Sequence, residues 1–356
     1  MKILHVITSL RTGGAERLMV DLLPLLCDGG NNVVELALFD GTVTPFYKEL
    51  SSKGVRIHNL TAGGNVYNPL NIARMIRFMG KYDLIHTHNT ACQLYVAMAK
   101  AISFVKTKLV TTEHNSTNRR RTKKWFRPID RWMYNQYSAV VCIADQTRDN
   151  LIDYIGPVKE LHTIYNGVNI SRFKHPIKDI EGNTHFTISM LAAFRDQKDH
   201  ETLLRAMCHL PEAYHLQLVG GGSDKRISEL KELCRSLKID QRVAFLGVRT
   251  DVPDILEQSD IVVLSSHWEG LSLSSIEGMA SGRPFIASDV DGLREFVKGA
   301  GILFPHGDDR VLARHIQDLC EHPDLYRKVA AQCQEKAAQF DISVMAQKYL
   351  DLYKSL

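Results

Sequence analysis

The chain has 356 residues, of which 44% are hydrophobic and 24% charged, and its formal net charge is +4. This length and composition predict two ordinary globular domains and exclude disordered, collagen-like and coiled-coil proteins. No apolar run reaches the roughly 18 residues of a membrane-spanning helix. The N-terminus lacks the long apolar region and the cleavage site of a signal peptide, so we expect a cytoplasmic protein.

The positive charge is concentrated in one part of the chain. Residues 1–170 carry 21 Lys and Arg against 13 Asp and Glu, whereas residues 171–356 carry 23 against 27. Within the first part, residues 97–135 hold 10 basic residues and 2 acidic ones. This local excess predicts a surface for phosphates or anionic lipid rather than a generally basic protein.

The seven cysteines form no CxxC pair, and their number is odd. This pattern is typical of reduced, mostly buried thiols in a cytosolic protein. It favours neither a disulfide framework nor a cysteine-based zinc site.

Short apolar runs alternate with amphipathic stretches in the first half. Seven of these runs are predicted strands, at residues 2–8, 33–39, 55–60, 83–88, 108–114, 139–144 and 161–166. Strands that alternate regularly with helices indicate a parallel sheet covered on both faces. Residues 1–170 are therefore predicted to form one Rossmann-like domain, and the charged, Pro- and Gly-containing residues 171–185 a linker.

The alternation then starts again. Six further strands are predicted at residues 186–192, 215–221, 242–248, 261–266, 283–288 and 301–305, and only helices from residue 308 onward. Residues 186–340 are predicted to form a second Rossmann-like domain, and residues 341–356 a helix that packs back on the first. The predicted fold class is α/β, with two facing parallel-sheet domains and a cleft between them. Ligands bind beyond the carboxyl ends of such strands, so we expect the chemistry in the loops that follow them.

A Gly13-Gly14 turn follows the first predicted strand and begins a helix. Glycines allow close approach of a ligand, and the N–H groups of the helix favour an anion. The turn does not match GxGxxG, which argues against a dinucleotide site, and a purely structural turn is the alternative.

Two later loops of the first half carry histidines. His86 and His88 end the fourth predicted strand, and Glu113 and His114 end the fifth. Histidines beside a carboxylate can serve as metal ligands, but this spacing matches no metal motif. We favour a polar contact from His114 to a substrate hydroxyl or carbonyl group and predict no metal site.

Residues 119–137 combine basic and aromatic side chains. The sequence RRRTKKWFR at 119–127 places six positive charges beside two aromatic rings. Such a mixture suits a membrane interface or single-stranded nucleic acid, and a solvated helix face is the simpler alternative. We favour an acceptor or anionic membrane surface bound by Arg119, Arg120, Arg121, Lys123, Lys124 and Trp125.

The second half places cations and glutamates after predicted strands. Arg195 and Lys198 precede a helix, where two cations are suited to hold a diphosphate. Glu269 and Glu277 are eight residues apart, the first in a loop and the second in the following helix. This pair can hold the two ends of an elongated polar ligand, with a helix N-terminus facing a phosphate between them.

Two other motifs of the second half have simpler interpretations. Gly220–Gly222 is either an anion-binding nest or a tight turn into a helix. The residues Asp289-Val290-Asp291 match the DxD motif that holds a metal–nucleotide pair in one class of sugar transferases, but we interpret them as a turn leading to Gly292.

Together these motifs resemble the retaining glycosyltransferases of family 4, which have the GT-B fold. The similarity covers nearly the whole chain, and its most specific block is EGLSLSSIEGMASGRPFIASDVDGLREFV at 269–297. Supporting motifs are GGAER at 13–17, HTHN at 86–89, TEH at 112–114, YNGVN at 165–169, QKDHETLLRA at 197–206, VGGGSDK at 219–225 and FLGVRTDV at 245–252.

The resemblance implies roles for single residues. His114 and Glu269 would contact the donor sugar as the catalytic pair. Arg195 and Lys198 would hold the donor diphosphate, and Glu277 the ribose hydroxyls. The remaining donor contacts would be Gly14 near the phosphates and acceptor, the N–H groups of Leu271, Ser272 and Leu273, and Val248 and Arg249 near the base.

Three positions depart from the family pattern. The family arginine usually stands where this chain has Ala193, which leaves its role to Arg195. Ser272 replaces a glycine of the common EGFGL, and Asp199 replaces the glycine that usually follows the lysine.

The function implied is the transfer of a sugar, with retention, from a nucleotide-diphosphate sugar to a glycan or a polyprenyl-diphosphate-linked acceptor. UDP is the expected nucleotide, and bacterial surface polysaccharide or glycolipid the expected product. No metal or other cofactor is expected, because cationic side chains and helix dipoles stabilise the leaving diphosphate. The enzyme would act at the inner face of the cell membrane.

Three alternatives have weaker support. A nucleotide-sugar epimerase of the same fold would form no new glycoside. A phosphorylase would need a pyridoxal-phosphate lysine, for which no motif is present. A nucleic-acid-binding protein that used residues 119–137 would leave the block at 269–297 unexplained, so we expect no nucleic-acid partner.

Overall fold

The computed structural model describes residues 1–11, 13–114 and 123–356, with the main chain alone at positions 28 and 124. The chain divides into two compact units. The first consists of Met1–Gly167 together with Ile342–Leu356, and the second of Val168–Asp341. Each unit is built on one parallel sheet with helices in the connections, so the predicted α/β class is confirmed.

The first unit contains a seven-stranded sheet with the order β3-β2-β1-β4-β5-β6-β7. Its strands are β1 (Lys2–Ile7), β2 (Val33–Leu38), β3 (Arg56–Asn59), β4 (Leu84–His88), β5 (Lys108–Glu113), β6 (Ala139–Cys142) and β7 (Leu161–Thr163). Its connecting helices are α1 (Gly14–Leu26), α2 (Pro45–Ser52), α3 (Leu70–Ile76), α4 (Thr90–Ser103), α5 (Arg127–Tyr134) and α6 (Asp145–Ile155).

The second unit contains a six-stranded sheet with the order β10-β9-β8-β11-β12-β13. Its strands are β8 (Phe186–Leu191), β9 (Tyr214–Val219), β10 (Val243–Gly247), β11 (Ile261–Leu264), β12 (Phe285–Ser288) and β13 (Ile302–Phe304). Its helices are α7 (His200–Met207), α8 (Asp224–Ser236), α9 (Val252–Gln258), α10 (Leu273–Ala280), α11 (Leu293–Val297), α12 (Asp309–Glu321) and α13 (Pro323–Ala338).

The last helix, α14 (Ile342–Ser355), belongs to the first unit although it follows the second in the chain. It packs against α1. Met345, Tyr349 and Tyr353 are buried in the same apolar cluster as residues of β1 and α1. The C-terminal segment therefore completes the core of the N-terminal unit.

The central strands are buried along their whole length. Every residue of β4, β6, β11 and β12 is buried, as expected for parallel strands that are covered by helices on both faces. Twelve of the thirteen predicted runs contain one observed strand each, the strand of the run 215–221 begins one residue earlier at Tyr214, and the chain after residue 308 is helical. Several runs extend past the strand because buried residues continue into the loop, as Ser265 and Ser266 do after β11.

Two expectations from composition can be compared with the structure. All seven cysteines are free, and five of them are buried. The buried five pack as small apolar side chains, which agrees with the predicted reduced, mostly buried thiols. Across the described ranges, no helix is both long enough and apolar enough to cross a membrane.

Candidate active site

Two loops at the carboxyl edge of the second sheet are joined by hydrogen bonds. The loop after β8 contains a 3₁₀ turn at Asp196–Lys198, and the loop after β11 runs from residue 265 to residue 272. The N–H of His267 donates to the carbonyl of Gln197 at 2.8 Å. The hydroxyl of Ser265 donates to the carbonyl of Asp199 at 2.8 Å. The loops therefore form one continuous surface.

A buried ion pair lies between these loops. The Nζ of Lys198 contacts the Oε1 of Glu269, and these side chains are 14% and 7% exposed. The hydroxyl of Ser266 donates to the same carboxylate oxygen at 2.8 Å. Removing one member of such a pair would leave an uncompensated buried charge. The structure thus brings together two residues that the sequence assigned to one site.

The N-terminus of α10 follows directly after Glu269. Ser272 is its N-cap residue, and its side chain bonds to the Ser274 hydroxyl at 2.8 Å rather than to an N–H of the first turn. The first-turn N–H groups thus receive no side-chain cap from Ser272, and a helix N-terminus attracts anions. Ser272 has φ −79° and ψ 132°, a conformation open to any residue, so its replacement of a glycine is accommodated.

The other predicted residues of this loop and helix have different exposures. Leu271 is buried, whereas Leu273 and Glu277 are half-buried. Glu277 lies one turn after Leu273 on the same helix. Successive turns of a helix share a face, so Glu277 extends the site along α10 away from its N-terminus.

Gly292 brings the loop after β12 against the loop that carries Glu269. Its φ is +84°, and an added Cβ would lie 2.2 Å from the carbonyl oxygen of Glu269. Only glycine fits such a contact. The preceding Asp289 and Asp291 both contact Arg294, at 2.5 and 3.0 Å. These ion pairs agree with the interpretation of this segment as a turn.

Two of the three glycines after β9, Gly220 and Gly222, pack against the loop after β8. A Cβ on Gly220 would lie 2.0 Å from the carbonyl oxygen of Ala192, and one on Gly222 would lie 2.5 Å from the Cβ of Phe194. The next residue, Ser223, caps α8 by accepting from the N–H of Arg226 at 3.2 Å. This geometry favours a tight turn into a helix over an anion-binding nest.

Three more predicted donor residues lie on loops at the same edge. Val248 follows β10, is 63% exposed, and adjoins Gly221. Arg249 bonds to Asp251 through its Nε at 2.8 Å. Arg195 is exposed and has no ion-pair partner among the described residues, so its guanidinium is available to an anion.

The predicted residues of the first unit lie on several elements. Gly14 is the first residue of α1, and His114 follows β5. Arg119, Arg120 and Arg121 lie outside the described residues, and for Lys124 only the main chain is described. Lys123 is exposed, and Trp125 is 63% exposed.

A chain of histidines leads inward from His114. Its Nε2 lies 3.1 Å from the Nδ1 of His88, and the Nε2 of His88 lies 2.9 Å from the Nδ1 of His5. His5 and His88 are buried, and burial lowers the pKa of His5 to about 3 and that of His114 to about 4. These rings are therefore neutral at pH 7. When all three rings are neutral, His88 in the middle donates one hydrogen bond and accepts one. The tautomer of each histidine therefore depends on the tautomers of its neighbours.

His86 adjoins this chain but bonds elsewhere. Its Nδ1 lies 2.5 Å from the hydroxyl of Tyr353, and its Nε2 lies 2.8 Å from the hydroxyl of Thr112. Burial is also the main cause that lowers its pKa well below the usual value. Because both nitrogens of His86 and of His88 have hydrogen-bond partners, the cluster favours a hydrogen-bond network over a metal site.

Glu113 does not join the histidines. Its carboxylate accepts from the Tyr134 hydroxyl at 2.6 Å and from the Gln93 amide at 2.5 Å. Successive side chains of a strand point to opposite faces of the sheet. Glu113 therefore lies on the face opposite to Thr112, whose hydroxyl bonds to His86. His5 and Tyr353 were not among the site residues predicted from the sequence. A histidine within the apolar run KILHVIT was the available signal for His5, because a buried polar group needs partners.

Comparison with known proteins agrees with this architecture. The family model "Glycosyltransferase Family 4" matches residues 12–172, and "Glycosyl transferases group 1" matches residues 185–322. The putative glycosyltransferase EpsD of Bacillus subtilis is 26% identical over 302 residues, 77% of each chain. The UDP-Gal:alpha-D-GlcNAc-diphosphoundecaprenol alpha-1,3-galactosyltransferase of Escherichia coli is 27% identical over 61% of this chain and 60% of its own.

A solved structure matches the whole length. The crystal structure of Anabaena Alr3699/HepE in complex with UDP and glucose has a TM-score of 0.86, 23% sequence identity, and full coverage of both chains. At 23% identity this structural match establishes the fold alone, whereas the two family models match the sequence itself. The chain therefore belongs to the family 4 glycosyltransferases and has the GT-B fold.

Proposed function

We propose that this glycosyltransferase transfers a sugar from a UDP-sugar with retention of the anomeric configuration. The observation that carries the proposal is the buried Lys198–Glu269 pair beside the N-terminus of α10. A cation and uncapped N–H groups suit a diphosphate, and a carboxylate suits sugar hydroxyls. The UDP in the structure of the similar Anabaena protein supports the choice of nucleotide.

The residues of the site suggest how the diphosphate departs. The bond between the anomeric carbon and the phosphate oxygen breaks as an acceptor hydroxyl attacks from the same face. The proton of that hydroxyl passes to the departing phosphate oxygen. Lys198, Arg195 and the α10 N–H groups stabilise the negative charge that grows on the diphosphate. Glu269 holds Lys198 in place before the donor binds and contacts the donor sugar.

His114 is proposed to hydrogen-bond the donor sugar as a neutral ring. Its low pKa keeps it uncharged at neutral pH, so it does not compete with the cations for the diphosphate. His88 occupies the Nε2 of His114, which leaves Nδ1 for the substrate. Which nitrogen carries the proton is fixed by the bond that the other one makes.

The acceptor is proposed to be a glycan or a polyprenyl-diphosphate-linked lipid in bacterial surface polysaccharide or glycolipid synthesis. The name of the Escherichia coli relative includes a diphosphoundecaprenol substrate, which supports this class. The basic segment 97–135 would bind anionic lipid headgroups or the acceptor diphosphate. Phe104 and Trp125, 93% and 63% exposed, lie in this segment and would enter the headgroup layer.

Substitutions at the donor site should affect binding and chemistry differently. Glu277→Ala should raise the KM for the UDP-sugar, because the ribose loses a charge-assisted hydrogen bond of about 1.5–3 kcal/mol. Lys198→Ala should also lower kcat, because the charge on the diphosphate grows in the transition state. Initial rates against donor concentration measure both effects.

Two controls separate these effects from damage to the fold. Lys225→Ala removes a lysine of the same unit that is 88% exposed, and should leave both constants unchanged. Lys198→Met combined with Glu269→Gln removes both charges, so no unpaired buried charge remains. Turnover of donor at the parent rate by Glu277→Ala and Lys198→Ala would show that the assignment is wrong.

The reaction is proposed to need no metal ion, because Lys198, Arg195 and the helix N-terminus supply the positive charge. Activity should therefore persist in excess EDTA, measured as UDP released from a matched UDP-sugar and acceptor. Loss of all activity with EDTA, followed by recovery with manganese or magnesium, would contradict this proposal.

The basic segment should bind anionic membranes. The parent protein should sediment with anionic liposomes at low salt and dissociate at high salt, because each Lys or Arg near the surface contributes about 1 kcal/mol. Replacing five residues with Ser should abolish sedimentation; these are Arg119, Arg120, Arg121, Lys123 and Lys124.

A matched control removes five exposed charges from the second unit instead. The control replaces Lys225, Lys231, Arg235, Arg310 and Lys328 with Ser. It should sediment like the parent. Equal sedimentation of the segment variant and the parent, or none by either, would reject the membrane proposal.

A further inference from the structure

Three side chains from three loops of the second unit converge near the Lys198–Glu269 pair. Asp199 follows Lys198, His267 precedes Glu269 by two residues, and His306 follows β13. The Nδ1 of His267 lies 2.5 Å from the Nε2 of His306. The Oδ2 of Asp199 lies 3.8 Å from the first of these nitrogens and 3.9 Å from the second. One carboxylate oxygen and two imidazole nitrogens thus form a compact triangle.

The triangle has about the size that a transition-metal ion needs, and the two imidazole nitrogens, now 2.5 Å apart, would separate to the wider spacing of tetrahedral zinc ligands when the ion binds. A point equidistant from the three atoms lies about 2 Å from each, and Zn²⁺ binds imidazole nitrogen and carboxylate oxygen at about 2.0–2.2 Å. Two nitrogen ligands favour zinc over magnesium, which prefers six oxygen ligands.

The carboxylate is held in position by other contacts. Asp199 is buried, and its Oδ2 accepts from the Thr202 hydroxyl at 2.6 Å while its Oδ1 accepts from the Thr202 N–H at 3.2 Å. Hydrogen bonds of this kind orient carboxylate ligands in metal sites. His267 is fixed through its main-chain bond to Gln197.

The main-chain conformation at Asp199 also suits a residue that supplies a carboxylate ligand. Its φ is +45° and its ψ is 53°, in the left-handed region that favours glycine. Asp tolerates this region better than most residues, but at a cost in backbone strain. A carboxylate at this position caps α7 and also faces two histidines, and a glycine could do neither.

We propose that Asp199, His267 and His306 form a Zn²⁺ site, with water completing the coordination. The ion would join the loops after β8, β11 and β13, two of which carry Lys198 and Glu269. It would neutralise the Asp199 carboxylate and restrain these loops. The site serves loop order and is separate from the metal-free chemistry proposed above, so each can fail without the other.

Zinc binding can be tested on the full-length protein after metal is removed with EDTA and the chelator is washed out. Titration calorimetry with ZnCl2 should detect a binding event in the parent, and zinc should raise its Tm, because a ligand that binds only the folded state stabilises it. MgCl2 at the same concentration should give neither effect. Co²⁺ should give visible absorption bands from the same site.

Variants locate the site. His306→Ala removes an exposed loop ligand and should weaken zinc binding by about tenfold or more. Asp199→Asn keeps an oxygen for the α7 cap and should weaken zinc binding as well. His209→Ala is the matched control, because His209 is also a partly exposed histidine, 3.4 Å from a carboxylate oxygen of Asp309. It should bind zinc like the parent.

Two results would overturn the proposal. One is a parent protein whose Tm and heat of titration do not respond to zinc, which would leave the two histidines as a hydrogen-bonded pair only. The other is equal zinc affinity in the parent and in His306→Ala, which would place the ion elsewhere. Equal Tm values of parent and variant in EDTA would show that His306→Ala is correctly folded.

Discussion

The parallel direction of the strands is the constraint on which the candidate donor site depends. Because all strands of a sheet run the same way, the loops that follow them lie along one edge. β11 and β12 are buried along their whole length, which holds these strands, and the starts of the loops after them, in the sheet. Lys198 and Glu269, which are 71 residues apart in the chain, become a buried ion pair for this reason. The order β8-β11-β12 places their loops side by side, so the topology determines which residues can share a ligand.

Close packing between the loops fixes their positions at this edge of the sheet. Gly292 allows the loop after β12 to contact the main chain at Glu269, and Gly220 allows the loop after β9 to contact Ala192. A side chain at either position would collide with a carbonyl oxygen. The loops that carry Lys198 and Glu269 are thus held by main-chain contacts with neighbouring loops. Charges fixed in this way can stabilise a departing diphosphate without rearrangement.

The sequence predicted the strands, the two sheets and the donor motifs, because these depend on local apolar runs and on the order of elements. It did not predict the histidine network, since the pairing of β1 with β4 brings His5 beside His86, and α14 adds Tyr353 from the far end of the chain. The grouping of Asp199 with His267 and His306 was also missed. Those three loops meet only after β8, β11 and β13 take their places in the sheet. Local sequence patterns contain no information about contacts between residues that are distant in the chain. That a serine can occupy position 272, where the family usually has glycine, is shown only by the φ and ψ angles of Ser272.

Hydrogen–deuterium exchange with and without UDP shows whether the nucleotide binds at the Lys198–Glu269 loops, and it depends on neither the donor sugar nor the acceptor. UDP should slow exchange in peptides covering residues 195–199 and 269–277. Exchange should change little at the β3 edge of the first unit, around residues 56–59, which serves as an internal reference. Saturation with UDP that slows exchange in the first unit, but leaves both donor-site peptides unchanged, would show that the nucleotide does not bind at the Lys198–Glu269 loops.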